Sequence, residues 1–197
     1  EGVFAGLNLG AHVGDAPARV EANRARLQQV AGIPGTLNWL NQVHGIAVHP
    51  VSDRYERVPD ADAACAHEAG QACIVMTADC LPVLFCDRAG TVVAAAHAGW
   101  RGLQGGVLEA SIAAMGCEPG EILAWLGPAI GPAAFEVGGE VRDAFMAEQA
   151  EAATAFVPSL NEGKWLADIY QLARLRLARA VGGEHAAEYA FDVAVEY

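Results

Sequence analysis

Three side chains of the 197-residue sequence have the chemistry to share one centre: His44, Cys80 and His97, each at the end of an apolar, β-rich run. Two imidazoles and a thiol form a zinc ligand set. Three protein ligands with one vacant position make the catalytic type of site, whereas a closed four-ligand site is structural. Such a metal lowers the pKa of a bound water to roughly 7. The spacing of the three matches no general ligand pattern, so a second reading of the same residues stands beside the first. Cys80 as thiolate and His97 as base would make a cysteine hydrolase or amidase. His44 favours the metal, because a Cys–His pair has no evident use for another imidazole. Asp79 is the natural orienter of His97 or a proton carrier, with a strand-end cap as its structural alternative. Gln42 is placed to hold a substrate group by hydrogen bonds. Arg101, beside the free N–H groups of a helix start, is a candidate anion contact, with a stacked or paired structural arginine as the equal alternative.

A central hairpin must position two of the three. Residues 74–77 and 81–86 read as strands, residues 87–90 as a turn and residues 91–96 as the returning strand. With Arg88 and Ala89 in the loop, Asp87 faces Gly90 and Cys80 faces His97, within roughly 4.5–5.5 Å between Cβ atoms. A one-residue bulge at Gly90 would send the two to opposite faces.

Around the hairpin, residues 18–31 read as an amphipathic helix, with Asp15 as its cap, Pro17 in its first turn and Gly32 and Pro34 closing it. Residues 36–43 and 46–51 read as strands that carry His44 between them. Residues 61–70 are ambiguous. Residues 102–115 form one helix ending at Gly116, and residues 121–126 a strand leading into Gly127-Pro128-Ala129-Ile130-Gly131-Pro132. That loop is rigid, but no Gly-Lys-Ser/Thr follows to make it a phosphate cradle. Residues 135–137 are a short strand, 140–153 and 166–181 are helices, Gly182 and Gly183 cap the second, and residues 190–197 are a last strand.

The sequence is 53% hydrophobic with a net charge of −12. One sizeable core, hence one domain over residues 1–197, is the expectation. The acidic balance, without a basic patch interleaved with aromatics, argues against nucleic acid as a partner. A small anionic substrate stays open, because a local arginine outweighs distant charge. No apolar run reaches membrane-spanning length and no signal peptide opens the sequence, so no membrane partner is expected. Five cysteines, an odd number with no CxxC, fit free thiols in a reducing cytoplasm better than a disulfide framework. His12, His49, His67 and His185 read as surface or packing residues. No feature selects an oligomeric state.

Several motifs, taken in order, go further. They are Asn8-Leu9-Gly10 with His12-Val13-Gly14-Asp15, Asn41-Gln42-Val43-His44-Gly45 and Thr77-Ala78-Asp79-Cys80-Leu81-Pro82-Val83. His97-Ala98-Gly99-Trp100-Arg101-Gly102 follows, and then the Gly127–Pro132 loop with Phe135-Glu136-Val137-Gly138. The chain resembles the YfiH family, also called laccase-domain or multicopper polyphenol oxidase proteins, over roughly residues 1–180. The resemblance implies an α+β fold of mixed β-sheets with flanking helices, shared with a toxin family of cysteine hydrolases. It implies one zinc on His44, Cys80 and His97, with phosphate as co-substrate in phosphorolysis of adenosine, inosine and methylthioadenosine, and deamination of adenosine. In bacterial members it also implies editing of a UDP-sugar precursor of the cell wall, an amidase-like activity on UDP-MurNAc carrying the wrong amino acid. A multicopper oxidase needs many imidazoles, and this sequence has six histidines and no His-x-His pair. One copper could still occupy a Cys-His-His set, since copper out-competes zinc at such ligands. A non-enzymatic metal-binding protein is the remaining alternative. The family's upstream Phe-Ser/Thr-x-Arg-x-Gly-Gly and C-terminal Phe-Phe-Ser-x-Arg-Arg segments are not found in this sequence, so arginines that they carry are assigned to no residue here.

Overall fold

A computed structural model describes residues 4, 6–181 and 191–192 of the chain. Its elements run α1 (Pro17–Ala31), β1 (Val48–Pro50), β2 (Ala63–Ala66), β3 (Leu81–Asp87), β4 (Val93–Ala98), α2 (Trp100–Gly105) and α3 (Val107–Met115). They continue as β5 (Ile122–Leu126), β6 (Glu136–Gly138), α4 (Gly139–Glu148), β7 (Phe156–Pro158), β8 (Lys164–Ala167), α5 (Ile169–Ala180) and β9 (Phe191–Asp192). A six-stranded mixed sheet has the order β1-β2-β4-β3-β5-β9, parallel at its two outer pairs and antiparallel between them; β6-β8-β7 form a second, antiparallel sheet. Mixed sheets with flanking helices are the architecture that the family resemblance implies. No described helix is long and apolar enough to cross a membrane.

The larger sheet is covered on one face throughout its middle and on the other face at β2, while Leu84 of β3 stays exposed on that second face. Helix α3 packs on β2 and β4, and α5 packs on α3, enclosing Leu81, Val83, Leu103, Leu108, Met115 and Leu126. A second cluster, Leu40, Val51, Ala61, Ala64 and Ala66, joins Cys73 and Val75. Strand β2 is therefore buried at every residue, and its Ala-Ala-Cys-Ala sequence lets both covers come close. The alternation that marks a half-exposed strand is missing there for that reason.

Several boundaries differ from expectation. Ala16, not Asp15, caps α1, and no side chain caps it; Pro17 takes the first helical position and left-handed Gly32 ends it. Residues 36–43 and 74–77 join no strand ladder, apart from one bridge from Asn41 to Asp60. Side chains replace the ladder. Asn38 donates to the carbonyls of Thr36 and Ser52, and the Gln42 amide both donates to and accepts from the Met76 backbone, each at 2.7 Å. The expected helix over 102–115 is two helices broken at Gly106, whose φ is +104°. The expected helix over 140–153 ends at Glu148, and a 3₁₀ segment follows it. Strand β8 precedes α5 where one helix was expected, and the Asp168 carboxylate accepts the Gln171 N–H at the junction. Gly182 and Gly183 lie outside the described residues, as does His185. Of the expected last strand only the backbone of Phe191 and Asp192 is described, parallel to β5.

The hairpin register differs by two residues. Leu81 faces Ala98 and Pro82 faces His97. The loop is longer because the Asp87 carboxylate accepts the N–H groups of Thr91 and Val92 and the Thr91 hydroxyl, at 2.6–2.9 Å. These bonds, that of the Thr91 hydroxyl foremost, hold the Asp87 carboxyl below its usual range. A shift of two preserves facing, so Cys80 and His97 stay on one side of the sheet as diagonal neighbours.

Candidate metal centre

His97 sits inside β4, 4% exposed, and its backbone N–H donates to the Asp62 carbonyl at 2.7 Å. Cys80 ends the segment that leads into β3 and is half-buried. His44 is exposed, with a φ of +60°, a region that non-glycine residues rarely occupy. The ligand atoms of the three all lie within 4.8 Å of one another, and Cys80 Sγ is 3.9 Å from His44 Nε2. The two imidazoles meet edge to face, with ring centroids 4.8 Å apart.

The cluster fits a metal ion by two observations. Its donor set, two nitrogens and one sulfur, is that of zinc and copper sites. It also lies against a glycine: a Cβ on Gly99 would stand 2.9 Å from Cys80 Sγ and 2.9 Å from His44 Cδ2. Any larger residue there would push against two of the three side chains. A Cβ on Gly102 would meet the Gly45 carbonyl at 2.9 Å, so the next glycine of the same motif lets α2 reach the His44 turn.

Asp62 holds the centre from behind, a role that sequence reasoning gave to Asp79. Its carboxylate is completely buried and accepts the backbone N–H groups of Val43, His44 and Gly45 at 3.1, 2.9 and 2.7 Å. It also lies 2.8 Å from His97 Nδ1. The strain of the His44 turn is offset by these three bonds. The signal in the sequence was an acid directly before the wholly apolar run 63–66, since Asp is almost never fully buried unless partnered.

The remaining candidates separate. Asp79 is exposed and lines the same cavity as the cluster, while its carbonyl accepts the Ile130 N–H at 2.9 Å. The Gly-Pro loop thus braces the Asp79–Cys80 segment and is itself held by the Tyr170 hydroxyl, which bonds Gly127 and Ala129. Gln42 lines the cavity too, but its amide is engaged with Met76, so it positions the wall rather than offering a free group to a ligand. Arg101 is exposed and its guanidinium lies 4.6 Å from the Trp100 ring centroid. That is its stacked alternative, and Arg101 is not among the cavity's lining residues. His12, read as a surface or packing residue, lines the cavity. His49 is a packing residue, 3.0 Å from the Asn38 amide oxygen.

The cavity has a volume of about 800 Å³, with His44, Cys80 and His97 in its lining and Leu7, Val13 and Met76 among its apolar walls. Burial pushes the Cys80 thiol above its ordinary value, and the negative charges of Asp79 and Asp62 push it further. Burial pulls His97 down despite the opposing effect of Asp62, so its ring is neutral at neutral pH.

The sequence profile of the multi-copper polyphenol oxidoreductase laccase family matches residues 1–189. This chain belongs to that family. Among its relatives, the purine nucleoside phosphorylase YfiH of Escherichia coli is 59% identical over 172 residues, 87% of this chain and 70% of that protein. A purine nucleoside phosphorylase of Pseudomonas aeruginosa is 60% identical over 174 residues, 88% of this chain and 70% of the relative. A crystal structure of a Neisseria meningitidis protein matches with a TM-score of 0.85 and 54% identity, covering 96% of this chain and 76% of that one. YlmD from Geobacillus stearothermophilus matches with a TM-score of 0.84 and 29% identity, covering 98% and 77%. The YfiH resemblance drawn from five motifs and the laccase-family profile thus converge on one family.

Proposed function

We propose that the chain is a zinc-dependent purine nucleoside phosphorylase that also deaminates adenosine, with His44, Cys80 and His97 as metal ligands. The observation that carries the reading is the convergence of those three donor atoms within 4.8 Å in the lining of an 800 Å³ cavity. The names of relatives at 59–60% identity supply the substrate class. When bound, the metal supplies Lewis-acid charge at that part of the cavity. Leu7, Val13 and Met76 offer apolar contact to a purine, and Gln42 keeps the Met76 segment against it. In phosphorolysis a phosphate oxygen bonds to the ribose C1′ as the bond from C1′ to the base nitrogen breaks. Asp79 takes the proton that phosphate loses and returns it to the departing base, so no proton is gained or lost overall. Cytoplasmic action fits the five unpaired thiols.

Cys80 serves better as ligand than as nucleophile. Reactive cysteines lie beside cations that lower their pKa, whereas the charges around Cys80 are carboxylates. A cell-wall amidase using the same cavity is favoured by one observation, a volume at the upper end of the range for small-molecule sites. Product analysis decides between the two. Adenosine with phosphate should yield adenine and ribose 1-phosphate, and His44→Ala should abolish it. Release of an amino acid from UDP-MurNAc-amino acid, with adenosine untouched, would overturn the phosphorylase reading.

A further inference from the structure

Asp62 has both carboxylate oxygens fully committed. Oδ1 accepts the His44 N–H and faces His97 Nδ1, while Oδ2 accepts the N–H groups of Val43 and Gly45. Those four contacts use the roughly four lone-pair sites of an ionised carboxylate. Three of the partners are backbone amides, which can only donate, so both oxygens act as acceptors. The remaining partner, His97 Nδ1, must then donate as well.

We propose that Asp62 is the positioning residue of the centre, holding the metal-free His97 ring as its Nδ1–H tautomer. The lone pair then sits on Nε2, on the far side of the ring from Asp62, free for a metal ion. The same carboxylate keeps His44 in its left-handed turn, so one buried acid prepares two of the three ligands before any ion arrives. Ligating imidazoles generally rely on such a partner for tautomer and orientation. The purpose of this arrangement rests on the metal reading above, but the tautomer itself does not.

Asp62→Asn separates tautomer control from simple packing. It has nearly the same size, yet only its oxygen can accept, and the backbone amides compete for that oxygen. With the oxygen kept by the Val43 and Gly45 amides, the NH₂ group faces both the His44 N–H, which loses its acceptor, and His97 Nδ1, which becomes the acceptor and leaves the proton on Nε2. Nuclear magnetic resonance of metal-free protein carrying ¹⁵N-histidine distinguishes the protonated from the bare ring nitrogen, with His97→Gln providing the assignment. The expected result is Nδ1–H in the wild type and a shift to Nε2–H in Asp62→Asn. Zinc affinity, read by chelator competition, should fall on the order of 10–100-fold in the variant. A wild-type ring protonated on Nε2 overturns the proposal, and so does an Asp62→Asn protein that keeps Nδ1–H. If the variant fails to fold, the wild-type spectrum still decides. A wild type that shows Nδ1–H but binds no zinc removes the metal reading and leaves the tautomer assignment standing.

Discussion

At the scale of single residues, Gly99 is the most direct test of the centre. Its backbone, at φ −61° and ψ 156°, suits any residue, so Gly99→Ala adds no backbone strain. The added carbon would stand 2.9 Å from Cys80 Sγ and from His44 Cδ2. Zinc affinity should fall on the order of 10–100-fold by chelator competition, the range seen when ligand support is lost. Stability of the metal-free protein should change by less than about 1 kcal/mol. Protonation gives a second test. The Cys80 thiol lies above its ordinary value and His97 below it, so at neutral pH a metal ion displaces the thiol proton while the His97 ring has none to release. Apparent affinity should therefore rise about tenfold per pH unit between about pH 6.5 and 8.5. Calorimetry in buffers of different ionisation heat should count about one proton released per ion. No release would remove the sulfur from the ligand set. The grouping of His44, Cys80 and His97 was legible chiefly through the ordered family motifs that carry them, since their spacing matches no general ligand pattern. Asp62 was not, because its role is expressed in backbone amides that belong to another segment.

At the scale of elements, the two runs that read as strands but join no ladder share one cause. Apolar runs at 36–43 and 74–77 carry the composition of strands, but side chains bond the backbone of Thr36, Trp39, Val43 and Met76, and Asn41 alone makes a backbone bridge. Nothing in a local window shows that Gln42 will pair with the backbone of a residue 34 positions away. Gln42→Ala should cost about 1–3 kcal/mol, because it leaves the Met76 N–H and carbonyl without that partner. Hydrogen exchange at Met76 should speed up, and KM for nucleoside should rise more than kcat falls, since the wall moves while the ligands stay. Equal protection at Met76 in variant and wild type would show that the pair does not hold the wall. The break between α2 and α3 has a different origin. Gly106 lies at φ +104°, so Gly106→Ala should cost about 1–3 kcal/mol in urea unfolding with an unchanged m-value. Periodicity alone joined the two helices because both present Leu103, Val107 and Leu108 to the same core.

At the scale of the molecule, the centre links the His44 turn, which belongs to no sheet, to the paired strands β3 and β4. His44 lies in a turn beyond the strands, Cys80 leads into β3, and His97 belongs to β4, with Asp62 at the entry to β2 behind them. An ion bound by all three ligands would tie the turn to the middle of the larger sheet. Unfolding that separates these segments must then release the ion, and bound metal stabilises the fold by mass action. With free zinc at about 100 times Kd, the gain is about 2.7 kcal/mol. For a domain of this size each kcal/mol moves Tm by roughly 2–4 °C, so chelation should lower Tm by about 5–10 °C. His44→Ala removes the ligand on the turn and leaves the sheet intact, so its Tm should barely respond to the chelator. A drop of the same size in His44→Ala would mean that the stabilising ion is bound elsewhere, and the tie between turn and sheet would have to come from Asp62 alone.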